Sequence, residues 1–154
     1  MERKIRRAER AIPNSEAKAI LQAGEYGVLS TVSEDGQPYG VPVSYSYAGD
    51  AVYFHCALEG HKLENLSSHN KVSFCVVGKT RVLPDKFATN YESVIVFGTA
   101  FEITAEEKHQ GLLEILKKYS PGFIDKGLRY IDNDGHKARV YKIVIESMTG
   151  KSRK

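Results

Sequence analysis

The chain has 154 residues, 42% of them hydrophobic and 27% charged, the make-up of one soluble globular domain with room for a single core. No apolar run approaches the roughly 20 residues that cross a bilayer, and the charged start Met1-Glu-Arg-Lys-Ile-Arg-Arg leads into no apolar stretch, so neither a membrane span nor a secretory leader is expected. The net charge of +3 gathers at the ends, +3 on residues 1–10 and +3 on Lys151 to Lys154, leaving −3 on the body; this reads as solvated basic tails (1–10 and 149–154) and not as a nucleic-acid-binding face.

The first predicted element is a short helix over Asn14 to Ala23. Asn14 or Ser15 can cap it, Ala17, Ile20 and Leu21 make its apolar stripe, and Gly24 stops it. Tyr26 to Val32 reads as a strand, followed by a hairpin turn at Glu34-Asp-Gly-Gln37, where Asp-Gly supplies the positive φ of a tight connection. Pro38 to Tyr47 alternates Tyr39, Val41, Val43, Tyr45 and Tyr47 with small or polar residues, the period of a strand with two unlike faces. Ala48-Gly-Asp50 turns the chain into a further strand, Ala51–Cys56.

Residues 61–68 carry Leu63 and Leu66 at helical spacing, and Asn70 ends that helix. Lys71–Val77 is strand. Residues 79–90, broken by Pro84, read as a long loop of the kind that carries function. Tyr91–Ile103 is a strong strand with Val94, Ile95, Val96 and Phe97 expected to be buried on both sides. Thr104-Ala-Glu-Glu107 has the form of a capping box and opens a helix whose Leu112, Leu113, Leu116 and Tyr119 form one face. Pro121 and Gly122 end it, and after an irregular stretch Val140–Glu146 is the last strand. Six strands in hairpin order and three helices predict one mainly β domain, a six-stranded antiparallel barrel with helices packed outside.

The stretch Val52-Tyr-Phe-His-Cys-Ala-Leu-Glu-Gly-His-Lys-Leu63 holds the strongest chemical signal. His61 and Lys62 stand in the first turn of a helix, where a cation costs roughly 0.3–1 kcal/mol against the partial positive charge of that end. A bound phosphate would reverse the sign, drawing on free backbone N–H groups and the lysine. The alternative is that Lys62 turns back to pair with Glu59. A second candidate is Val41-Pro-Val-Ser-Tyr45. A flat amphipathic ring could lie along it where Pro42 leaves the strand incompletely paired, or it is a plain half-buried strand.

Together, Gly36-Gln-Pro-Tyr-Gly-Val-Pro-Val-Ser-Tyr45, Val52-Tyr-Phe-His-Cys-Ala57, Gly60-His-Lys-Leu63 and Tyr91-Glu-Ser-Val-Ile-Val-Phe-Gly98 resemble the FMN-binding split-barrel (pyridoxamine 5'-phosphate oxidase-like) family, nearest its Nim-type nitroimidazole-resistance branch. The resemblance spans about residues 10–145 and implies a homodimer with FMN in a groove between subunits. It implies that Pro42, Val43, Ser44 and Tyr45 run along the flavin ring and ribityl chain, and that His55 and Cys56 contact the cofactor. His61 and Lys62 would hold the phosphate, and Tyr91 to Ser93 would reach the flavin from the partner subunit. The chain has no tryptophan and lacks the arginine-rich C-terminal segment of the vitamin B6 oxidases, so that activity is not expected.

His55 is the candidate catalytic group, a substrate-facing proton donor, with a packed strand histidine as the alternative. His69 is expected to finish a helix, and His109 and His136 to lie on the surface. The histidines share no metal-ligand spacing, so no metal is expected, and no Gly-x-Ser-x-Gly elbow supports a hydrolase. Cys56 and Cys75 read as two thiols in a reducing cytoplasm. The expected function is flavin-dependent reduction of a small acceptor such as a nitroaromatic compound, with a non-catalytic module that binds, stores or senses FMN as the alternative.

Overall fold

A computed structural model describes residues 3–154; Met1 and Glu2 of the expected basic N-terminal segment lie outside the described residues. Seven strands form one antiparallel sheet. They are β1 (Gly27–Val32), β2 (Pro38–Val43), β3 (Ser46–Ala48), β4 (Ala51–Cys56), β5 (Lys71–Leu83), β6 (Ala88–Ile103) and β7 (Arg139–Arg153), in the spatial order β2-β1-β5-β6-β7-β4-β3. Four α-helices accompany them: α1 (Asn14–Ala23), α2 (His61–Ser68), α3 (Ala105–Tyr119) and α4 (Ile124–Asp134). No described helix is long and apolar enough to cross a membrane.

The two outermost strands, β2 and β3, are consecutive in the chain and separated only by Ser44 and Tyr45. Three Cα–Cα steps span at most about 11 Å, so opposite edges of the sheet must approach each other and the sheet curls without closing. The predicted single strand Pro38–Tyr47 is therefore broken. Its facing is retained, since Tyr39, Val41, Val43 and Tyr47 are half-buried and Tyr45 fully buried. Its hydrogen bonding is lost because the Tyr45 N–H donates to the Tyr119 hydroxyl oxygen at 2.9 Å and its phenol donates to the Leu21 carbonyl.

Inside the curl, Leu29, Val52, Phe54, Phe74, Val76, Val94, Val96 and Ile143 make the core, closed at one end by Ala17 and Leu21 of α1. The Tyr45 ring meets Phe74 edge-on at 4.9 Å between centroids. Pro13, and not Asn14 or Ser15, occupies the N-cap of α1, and no side chain caps it. Gly24 stops the helix at an ordinary φ of −63°, and glycine is required there for space: a Cβ would stand 2.5 Å from both the Tyr45 hydroxyl and Val76 Cγ1. Thr104 is the N-cap of α3, again without a side-chain cap bond, and the buried face of α3 centres on Gly111 and Ile115.

Four other expectations are corrected. Residues 79–90 are a hairpin ribbon and not a loop, because Thr80, Arg81, Val82 and Leu83 pair with Tyr91, Asn90, Thr89 and Ala88 and Pro84 sits at the turn. Val94 and Val96 are buried, but Ile95 is 38% and Phe97 50% exposed, since β6 is covered on one face only. The C-terminal residues 149–153 are no solvated tail: they continue β7, pairing Lys151 with Ser93 and Arg153 with Tyr91. The irregular stretch contains α4, in which Ile124, Gly127, Leu128 and Ile131 are half-buried at helical spacing.

The uncovered face of the sheet carries an apolar row. Pro42 pairs with Val28, Val28 with Cys75 and Cys75 with Ile95, while Val77 and Phe97 flank the row, exposed. A patch of this kind across four strands is the mark of a surface meant to be covered.

Candidate functional site

Gly60 precedes α2 with φ +148°, a conformation open essentially to glycine alone; a Cβ there would meet nothing, so the demand is conformational. Leu63 and Leu66 bury the underside of α2, and Asn65 Nδ2 donates to Thr31 Oγ1 on β1 at 3.0 Å, both side chains buried. These anchors leave His61 exposed and Lys62 half-exposed on the first turn. The Gly60 carbonyl accepts the Glu64 N–H at 3.1 Å, so the amides of His61, Lys62 and Leu63 precede the first intrahelical bond and stay available. The His61 ring stacks on Tyr39 of β2, and Lys62 forms no ion pair with Glu59 or any other carboxylate among the described residues. The first turn of α2 is thus a cationic corner with open donors.

His55 and Cys56 adjoin this corner at the end of β4, but the strand sends them to opposite faces. Cys56 points with Phe54 into the core, whereas His55 faces α3 and α4. Packing around the His55 ring, and then the Lys62 charge, pull its imidazole below the usual 6.5, although one side of the ring is open to solvent. Burial raises the Cys56 thiol, and the nearby Lys62 and Arg139 charges oppose that rise. Both shifts favour the uncharged forms: a neutral imidazole at His55, able to accept one proton, and a protonated thiol at Cys56 in the core.

Pro42, exposed, and Val43, half-buried, end β2, and exposed Ser44 follows it; the outer edge of β2 has no strand partner among the described residues. Tyr45 serves the core. Tyr91 and Ser93 lie elsewhere: they pair with the far half of β7 at Arg153 and Lys151, whereas His55 pairs with the near half at Val140. That separation is roughly 30–40 Å along the strand. One chain brings together His55, Cys56, His61 and Lys62, sets Pro42 to Ser44 at the open sheet edge, and leaves Tyr91 and Ser93 apart.

Sequence reasoning missed Tyr39, Thr31 and Asn65. Each holds α2 in place through a partner 22 to 34 residues away, and no local pattern names such a partner. It also missed a cleft between α3 and α4, about 540 Å³, into which His55 faces. The two helices touch at Gly127, where any Cβ would collide with Leu116.

A family profile described as Pyridoxamine 5'-phosphate oxidase matches residues 13–152. Three solved structures share the fold over most of the chain. A candidate 5-nitroimidazole antibiotic resistance protein from Bacteroides thetaiotaomicron has TM-score 0.75 and 24% identity, over 92% of this chain and 86% of that one. A FAD-binding protein from Mesorhizobium loti has TM-score 0.66 and 23% identity, over 94% and 98%. The flavocytochrome Anf3 from Azotobacter vinelandii has TM-score 0.82 and 23% identity, over 98% and 72%.

Proposed function

The chain belongs to the pyridoxamine 5'-phosphate oxidase family, and from that premise we propose that it is a cytoplasmic, homodimeric flavoprotein that binds FMN and reduces a small acceptor such as a nitroimidazole or other nitroaromatic compound. The observation that carries this reading is Lys62: a lysine with no carboxylate partner among the described residues, in a helix's first turn, beside three open amides. Family membership and the flavin-binding neighbours support the flavin; the corner at Gly60 suits a terminal phosphate, which FMN has.

The residues present fit that group. Lys62 and the first-turn amides would take the phosphate, with His61 steadied by Tyr39 as a further donor. The open edge of β2 from Pro42 to Ser44 offers an apolar surface and unpaired backbone groups for the ring. A bound flavin would supply the electron transfer, receiving a pair of electrons from a reduced nicotinamide and passing them to the acceptor. His55 would hold a proton at a ring nitrogen near the acceptor. A second copy on the apolar outer face would cover Val28, Val77, Ile95 and Phe97, and its Tyr91 and Ser93 would complete the groove. The free thiols of Cys56 and Cys75 suit a reducing compartment.

The purified protein should absorb in the visible as a flavoprotein and bind FMN more tightly than FAD. Lys62→Ala should weaken FMN binding by about 10- to 100-fold, the worth of a charge-assisted hydrogen bond, and Lys62→Arg should retain most of it. A protein that stays colourless with added FMN would sink the reading. A yellow protein that oxidises no NADH or NADPH with a nitro compound would leave a binding module instead. Phe97→Asp should convert dimer to monomer in light scattering; a persisting dimer would place the interface elsewhere.

A further inference from the structure

We infer that the cleft between α3 and α4 is a binding site for a small, flat aromatic anion such as an aromatic carboxylate. Its volume of about 540 Å³ suits a small ligand, since such sites span roughly 300–1,000 Å³. Tyr119, Phe123 and Tyr130 supply aromatic walls over a floor that includes Ile115 and Leu116. Phe123 is 66% and Tyr130 68% exposed, so both rings serve the cleft's rim and neither serves the core. Planar rings at the mouth of an apolar cleft favour a planar ligand that can stack between them.

Charge selects the sign. Lys137 on the lining is committed to Asp134 at 2.8 Å, which leaves that pair neutral. Lys126 lines the same cleft and forms no ion pair among the described residues. The uncompensated charge at the cleft is therefore positive. One wall is fixed in advance: the Tyr119 hydroxyl donates to the Glu25 carbonyl at 2.6 Å and accepts the Tyr45 N–H at 2.9 Å. Helix contact at Gly127 sets the spacing of the two sides. A wall tied down before binding loses little freedom when the ligand arrives. From β4, His55 closes one end of the cleft and joins it to the cationic corner of α2. The inference stands without the flavin; where FMN is bound as proposed above, His55 makes the cleft the place from which an acceptor is presented.

The test uses 4-nitrobenzoate against the full-length protein, with nitrobenzene as the neutral comparison, followed by amide and aromatic NMR shifts and by calorimetry. Saturable binding of 4-nitrobenzoate is expected, with shifts at His55, Phe123 and Tyr130, and about tenfold weaker binding of nitrobenzene. Lys126→Ala should remove that preference for the anion, and Tyr130→Ala should weaken both ligands; both side chains are exposed, so folding is not at stake. Absence of saturable binding, or affinity unmoved by both substitutions, would overturn the inference. So would shifts of the cleft resonances with protein concentration instead of ligand, which would make the cleft a contact between copies. Unaltered protein that takes up no FMN yet still binds 4-nitrobenzoate would refute the flavin reading alone.

Discussion

The His61 imidazole lies against the Tyr39 ring with centroids 4.0 Å apart and planes 21° from parallel, and this stack joins the start of α2 to the edge strand β2. The two elements that would hold the phosphate and the ring of a flavin are thereby held in one frame. Tyr39→Ala should leave the fold intact, because the ring is half-exposed. It should weaken FMN binding by about 2- to 10-fold, the worth of an aromatic pair at about 0.5–1.5 kcal/mol. Quenching of FMN fluorescence on titration measures this; equal affinities in both proteins would show that the stack has no part in the site.

His55 should titrate below 6.5, and Lys62→Ala should raise its midpoint without restoring 6.5, because burial is the larger cause and remains. The sign for stability follows. Below the lowered folded value both states carry the proton and the fold bears the full penalty of a charged ring. Between that value and 6.5 the unfolded chain holds more protons, so stability rises with pH and levels off above 6.5. Proton NMR of the imidazole gives the midpoint, and no response to Lys62→Ala would separate the two side chains electrostatically.

The Lys118 ammonium lies 3.6 Å from the centroid of the Tyr45 ring, its nitrogen buried and without a hydrogen-bond partner among the described residues. Burial lowers its pKa from 10.5 to about 8, so desolvation outweighs the attraction of the ring for the cation. Lys118→Met should therefore stabilise the protein at pH 7, by on the order of 1 kcal/mol. Wild-type stability should rise between pH 8 and 10.5, where the folded chain has released a proton that the unfolded chain keeps, and the gap to Lys118→Met should narrow there. Urea unfolding at pH 7 and pH 10 decides it; a variant less stable at pH 7 would show that the cation–ring contact wins.

Gly98 sits at the register shift between β6 and β7, where an added Cβ would be driven into the Val144 carbonyl oxygen. Backbone has less freedom to yield than a side chain, so Gly98→Ala should cost about 1–3 kcal/mol. Thermal unfolding reads this directly, and an unchanged midpoint would mean that the two strands can part without penalty.

Elements rich in buried residues were legible in the sequence. The bounds of α1 and of β4, the turn at Gly36 and the span of α2 at residues 61–68 all follow from local period and turn chemistry. The ribbon over residues 79–90, α4 and the far end of β7 were not legible, because few or none of their residues are buried and their pairing carries little hydrophobic signal. In the site, Lys62 was legible for a local reason, its place one residue inside a helix that Gly60 opens. His55 and Cys56 were grouped as neighbours, although the two-residue period of β4 already sends them to opposite faces.

By itself the sequence determined which residues face inward between Pro38 and Tyr47 and where cations stand against a helix start, since both depend on spacing within a few residues. Tertiary structure alone decided that the sheet curls without closing and that Tyr45 breaks a strand to meet Tyr119, 74 positions away. It also decided that His55 stands between α2 and the α3–α4 cleft. Local period specifies a face; the partner across that face is chosen only when distant segments pack and their donors, rings and charges compete for the same neighbours.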